Sequence, residues 1–290
     1  MSVAAAGIEE SVAASAPAPI VRPHAHGGAL IRAVFVAYIA ILVVIPIGAL
    51  VWEGLSGGPG VIWAAISAPV AVKALTLSLW TSAIAGVLNG VFGTMIAWVL
   101  VRYRLPGKKV ISALVDLPFA IPTLVAGILL VALYGPHTWV GKTLEAAGIS
   151  VAYAQPGIVL ALLFVTLPFV VRAVEPVLLE LDAAEEEAAM MLGAGPVRTL
   201  VSIVLPPLVP AIAAGSLQVF SRSIAEFGSI AAVSGNIPFR TLTAPVQILG
   251  DVEGGDPTSA AALSLVLLAV ALVLQPLAIA LSRATGARRE

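Results

Sequence analysis

Four polar residues inside an apolar stretch carry the groups best suited to touch a charged solute. Gln218, Arg222, Glu226 and Ser229 are spaced by four, four and three residues, which puts them on one face of a helix. Ionisable side chains at membrane depth are costly and face protein interior or a water-filled path. Two readings stay open: a structural pair between Arg222 and Glu226 at i,i+4 spacing, or four residues lining a translocation path. At about 1.5 Å per residue counted from Leu208, Arg222 falls past the midplane toward the outside. A second run, GPHTWVGKT from Gly135 to Thr143, imitates a phosphate-binding loop. Its spacing fails: five residues rather than four separate Gly135 from Gly141-Lys142-Thr143, and it follows an apolar stretch rather than a strand. A third run, Glu187 to Pro206, is a polar island with an internal order. Glu187-Ala188-Ala189 is followed after three residues by Gly193, and after nine more by Ile203-Val204-Leu205-Pro206.

The elements that must position these groups are membrane helices. Hydrophobic residues make up 60% of the 290 and charged residues 11%, with a mean hydropathy of +1.06, far from the composition of soluble domains. A net charge of -1 provides no bulk basic surface for nucleic acid. The chain has no cysteine, so thiol catalysis and Cys-based zinc are excluded. His24, His26 and His137 do not form a plausible metal cluster. The acids Asp116, Glu175 and Glu226 are dispersed along the chain, with Asp116 read as an interfacial cap. No catalytic residue, metal or cofactor is expected.

A spanning helix needs about 20 apolar residues. Six stretches qualify, approximately 31–52, 73–101, 110–134, 156–178, 208–234 and 260–281. The expected organisation is a disordered cytoplasmic tail over 1–29 and a first transmembrane helix with its external loop over 30–72. A core over 73–284, containing the polar island at 182–206, and a cytoplasmic tail over 285–290 complete it. With the N-terminus inside, Arg22, Arg32, Arg102, Arg104, Lys108, Lys109, Arg198, Arg283, Arg288 and Arg289 face the cytoplasm and Lys73, Lys142 and Arg240 face outward. That asymmetry follows the positive-inside rule. It puts both termini and the island on the ATP side, and Gly135–Thr143 outside. Pro118, Pro122 and Pro168 predict kinked helices in a bundle. Gly86 and Gly90, four apart, permit close helix contact. Within the island, DAAEEEAAMML from Asp182 to Leu192 predicts a short helix with acids at its start. Gly193 and Gly195-Pro196 stop it, and a second short helix begins near Pro196.

The island resembles the EAA loop by which membrane subunits of bacterial ABC importers dock onto their ATPase. That resemblance implies an all-α membrane protein of six kinked, bundled helices with a cytoplasmic coupling helix-turn-helix, the type I importer permease fold. It implies ATPase coupling through Glu187, Ala188, Ala189, Gly193, Ile203, Leu205 and Pro206. ATP is then held by partner subunits. Three further runs, LVDLPFAIPTLVAGILL (Leu114 to Leu130), LPFVVRAVEPVL (Leu167 to Leu178) and SRSIAEFGSIAAVSGNIPFRT (Ser221 to Thr241), are similar to the T-type membrane subunit of bacterial sulfate/thiosulfate importers. Ser223-Ile224-Ala225 before Glu226 departs from the family's pattern, in which Ala-Leu-Gly or similar is expected. The implied partners are a W-type permease subunit as pseudo-symmetric mate, two cytoplasmic ATPase subunits and an extracytoplasmic sulfate-binding protein. The implied place is the bacterial inner membrane. Molybdate or tungstate import is the nearest alternative. A secondary transporter would show ion-coupling acids on broken helices and inverted repeats, and no internal repeat is evident.

Overall fold

A computed structural model of the chain describes residues 25–286. The expectations for the N-terminal tail before Ala25 and for residues 287–290 lie outside the described residues. The described residues are helical, with no strand. The chain divides into a short unit ending at Ala49 and a large unit from Leu50 onward.

The short unit contains α1 (Ala25–Ile39), a π-turn at Ala40–Val44 and the start of α2 (Ile45–Ser56). Its large apolar side chains, Val34, Phe35, Ile41 and Leu42 among them, are exposed, as suits a helix whose surroundings are lipid or protein rather than water.

In the large unit, α3 (Gly58–Ser67) precedes the long α4 (Pro69–Arg102). The expected third span is two helices, α5 (Lys108–Ala120) and α6 (Thr123–Tyr134), bent by 111°. The cause is Pro122: Ile121 before it is extended at φ -90°, ψ 128°, because a residue preceding proline avoids the helical region. Pro168 and Pro176, by contrast, lie within an unbroken α8 (Gln155–Glu180). Between α6 and α8 sits α7 (Trp139–Ala146). After α8 come α9 (Ala183–Met191) and α10 (Pro196–Thr199), then a π-turn at Leu200–Val204 leading into α11 (Leu205–Ile224). The short α12 (Gly228–Val233), then α13 (Ala244–Glu253) and α14 (Pro257–Gly286) complete the described residues. Among the described residues, five helical stretches are long and apolar enough to cross a membrane, Ala29–Ser56 and Pro196–Ile224 each running through a π-turn, and six spans result when α5 and α6 count as one.

Helices α4, α8 and α11 form the core, around Ala85, Leu162, Val170, Val174, Leu208 and Val219. They meet over small residues. A methyl group on Gly93 would lie 2.8 Å from Val170 Cβ, and one on Gly90 would lie 2.5 Å from Ser216 Oγ. Several polar side chains in this core are matched by partners within the protein, where the bilayer offers none. Asn89 Nδ2 donates to Thr166 Oγ1 at 2.9 Å and to the Leu163 carbonyl at 3.2 Å. Thr166 in turn donates to the Leu162 carbonyl at 2.7 Å. Arg172 on α8 pairs with Asp116 on α5 and with Glu175, and its Nη2 donates to Ser112 Oγ at 2.9 Å. Asp116 is therefore a bridge between two helices rather than an interfacial cap, and Arg172 brings it together with Glu175. Phe119 and Phe169 add an edge-to-face contact at 5.2 Å across the same pair of helices.

Outside the spans, Asp256 Oδ1 accepts from the Ser259 amide at 3.0 Å, and the hydrogen bonds from Ser259 hold this carboxyl below the ordinary range. Burial pushes Asp251 up, against a hydrogen bond from Gln247.

Helix α6 approaches α12 at Gly127, where a methyl would stand 2.4 Å from the Ser229 carbonyl. Gly127→Ala is expected to cost about 1–3 kcal/mol through overpacking and to lower the thermal unfolding midpoint in detergent. Gly60→Ala, where a Cβ meets nothing within 4 Å, serves as the control and leaves the midpoint no lower.

Candidate functional site

The polar island folds as two short helices joined by a capped turn. Asp182 caps α9, its Oδ1 accepting from the Ala184 amide at 2.9 Å. Glu185 and Glu186 sit in the first turn, where carboxylates complement the helix dipole. At the other end Gly193 has φ +88°, the left-handed geometry that lets the Ala194 amide reach back to the Ala189 carbonyl at 3.0 Å. Pro196 then begins α10, where the missing amide donor is not needed.

Glu186 does not face solvent alone. Arg102, the last residue of α4, reaches it at 2.5 Å, donates to the Leu181 carbonyl at 3.4 Å and lies 5.9 Å from the Trp98 ring centroid. This contact fastens α9 to the end of the second span. Its signal in the sequence was weak, since eighty-four residues separate the partners. Glu187 and Ala188 are exposed and Ala189 is half-buried. Met191 and Leu192 are 88% and 89% exposed and Val197 is 75% exposed. Exposed apolar side chains are thus concentrated on a polar loop, a pattern found where a surface meets protein or membrane. Ile203 and Leu205 are half-buried and Pro206 is exposed. These three begin the entry into the fifth span, through the π-turn.

The polar stripe of that span divides at a break. Helix α11 ends at Ile224, Ala225 has left helical geometry at ψ 1°, and α12 starts at Gly228. Glu226 and Ser229 are thus off the continuous helix that the spacing suggested. Arg222 and Glu226 still pair, Nη2 to Oε2 at 2.9 Å. The other carboxylate oxygen accepts from the Ser229 amide at 3.2 Å and from Ser229 Oγ at 3.1 Å. Glu226 is 1% exposed and Ser229 fully buried, so both stand behind the wall. Gln218 and Arg222 line a cavity of about 450 Å³ with Ser221, Phe169 and Gln275. Sequence reasoning missed Ser221 and Gln275. Gln275, an isolated amide in an apolar last span, was the available clue.

Gly135–Thr143 is built as a helix start. Thr138 Oγ1 accepts from the Gly141 amide at 2.9 Å, so a donor that a phosphate would need is already engaged. A methyl on Gly141 would meet the Gly135 carbonyl at 2.0 Å, which makes Gly141 a packing residue.

A family model described as binding-protein-dependent transport system inner membrane component matches residues 89–285. The chain belongs to this family. Among the permease's relatives, the sulfate transport system permease protein CysT of Synechococcus elongatus is 46% identical over 237 residues, covering 82% of this chain and 85% of its own length. The probable sulfate transport system permease protein cysT of Nephroselmis olivacea is 44% identical over 237 residues, with 82% and 84% covered. A crystal structure of a bacterial alginate ABC transporter with an alginate pentasaccharide-bound periplasmic protein superposes at a TM-score of 0.72. It is 18% identical and covers 88% of this chain and 93% of that chain. The inward-facing MetNI methionine ABC transporter gives a TM-score of 0.53 at 19% identity, with 79% and 99% covered. These structures establish the fold of the permease as that of ABC importer membrane subunits, and the multi-pass membrane assignment stands with it.

Left-handed geometry at a non-glycine residue costs about 1–2 kcal/mol. Gly193→Ala in the detergent-solubilised chain is accordingly expected to speed amide hydrogen exchange at Leu192 and Ala194 by about 5–30-fold. The core amides of α8 keep their protection.

Proposed function

We propose that this chain is the T-type permease subunit of an ATP-driven importer for sulfate or thiosulfate, supplying half of the path and no ATP site of its own. The observation that carries the coupling half is the capped loop Asp182 to Pro206, fastened to α4 through Arg102 and Glu186 while Glu187, Met191 and Leu192 face outward. The loop offers small residues for close packing at Ala188, Ala189 and Gly193, and Glu187 for a charged contact. Closure of the ATPase dimer would push on this loop, and the Arg102 contact would carry the push into α4. The oxyanion assignment is supported by relatives 42–46% identical to this chain whose names say sulfate transport.

The remaining partners follow from this reading: a W-type permease mate, two cytoplasmic ATPase subunits and an extracytoplasmic sulfate-binding protein. The excess of Lys and Arg in one set of connecting segments supports termini and loop on the cytoplasmic face of a bacterial inner membrane. High-affinity selection belongs to the binding protein. Neither catalysis nor a cofactor is assigned to this chain. Its part of the path is the cavity wall at Gln218 and Arg222, with Glu226 and Ser229 behind it.

Two measurements test this. The ATPase should copurify with the wild-type chain, and Glu187→Lys or Gly193→Asp should remove it; unchanged copurification would refute the docking role. In a deletion strain complemented with this transporter, sulfate uptake should be competed by thiosulfate. Uptake abolished by a low excess of molybdate and unaffected by thiosulfate would move the assignment to molybdate.

A further inference from the structure

The cavity beside the break in the fifth span has an unusual charge arrangement. Among the described residues, Arg222 is the only ionisable one on its wall. Its counter-charge, Glu226, is 1% exposed and reaches Arg222 from behind at 2.9 Å. Ser229 occupies the second oxygen of that carboxylate through both its amide and its hydroxyl, so Glu226 is held in place and cannot swing into the cavity. Among the described residues, no other carboxylate pairs with Arg222, and no hydrogen bond to a further acceptor occupies its guanidinium. Gln218, Ser221 and Gln275 place two amides and a hydroxyl on the same wall. Each of these can donate to an oxygen without bringing charge of its own.

A bare arginine in a low-dielectric cavity would attract a dianion strongly. A fixed carboxylate behind it cancels most of that attraction at longer range and leaves short, directional N–H donors for contact. Conduction needs binding favourable enough for entry and weak enough for exit. We propose that Arg222, Gln218, Ser221 and Gln275 form a low-affinity station for a tetrahedral oxyanion. Glu226, which does not touch the anion, is the positioning residue that sets its weakness. The inference rests on the oxyanion reading above and adds to it where the anion pauses and which buried group limits its stay.

The test is equilibrium binding of radiolabelled sulfate to the assembled permease–ATPase complex in nanodiscs without binding protein, paired with maximal uptake in proteoliposomes with it. Glu226→Gln should tighten sulfate binding by about tenfold, equivalent to about 1.4 kcal/mol, while maximal uptake falls. Arg222→Gln should abolish binding. Gln275→Glu adds a carboxylate at the wall, away from the packed core, and should weaken binding by about tenfold in a complex that still assembles. A merely structural Glu226 would lower uptake without tightening binding, and that result in an assembled Glu226→Gln complex would overturn the proposal. Should Glu226→Gln fail to assemble, Gln275→Glu decides, and unchanged sulfate binding there would equally overturn it. A wild-type complex that transports no sulfate refutes the sulfate reading itself. Sulfate transport by the wild type, with both variants binding sulfate as the wild type does, refutes only the station.

Discussion

Hydrocarbon offers a polar side chain no partner, so those carried into the membrane are held best where another part of the protein supplies one. That constraint organises the large unit. Asn89 is matched by Thr166 and the Leu163 carbonyl, Arg172 by Asp116, Glu175 and Ser112, and Glu226 by Arg222 and Ser229. The first two sets join different helices, so satisfying them also fixes which helices are neighbours. Small residues make such matching possible. Gly90 and Gly93 bring α4 close enough to α8 and α11 for short side chains such as asparagine and threonine to bridge the gap.

The two interruptions of the spans serve different ends. Pro122 ends α5 by steric exclusion of helical geometry before it, and α6 leaves at 111° to pack on α12 through Gly127. No proline lies at the second break, from Ala225 to Phe227. There a buried carboxylate accepts hydrogen bonds from the turn that follows it, so the interruption is held by charge rather than by shape. One break shapes the bundle, and the other creates the wall on which Arg222 is presented.

Much of the architecture was legible in the residues. Apolar run length found the spans, though the fifth runs Pro196–Ile224 rather than 208–234, and acids, glycines and a proline found α9, its stop and α10, since capping is a local matter. Gly86 and Gly90 announced a close contact by spacing alone. What stayed hidden was long-range or depended on a break. A four-residue repeat cannot report that the helix stops at Ile224, so Gln218, Arg222, Glu226 and Ser229 looked like one stripe. Asp116 looked like a cap because its partner Arg172 lies fifty-six residues away. Arg102 and Glu186, and the contribution of Gln275 to the cavity, likewise exist only once the helices have packed.

The π-turn at Leu200–Val204 bears on the spacing of the docking loop. One extra residue in a single turn offsets everything beyond it by roughly 100° around the helix axis. The nine residues between Gly193 and Ile203 are therefore an angular setting as much as a length. Adding or removing one of them would leave the loop's composition intact and yet aim Glu187, Met191 and Leu192 in another direction, turned away from whatever they are built to meet.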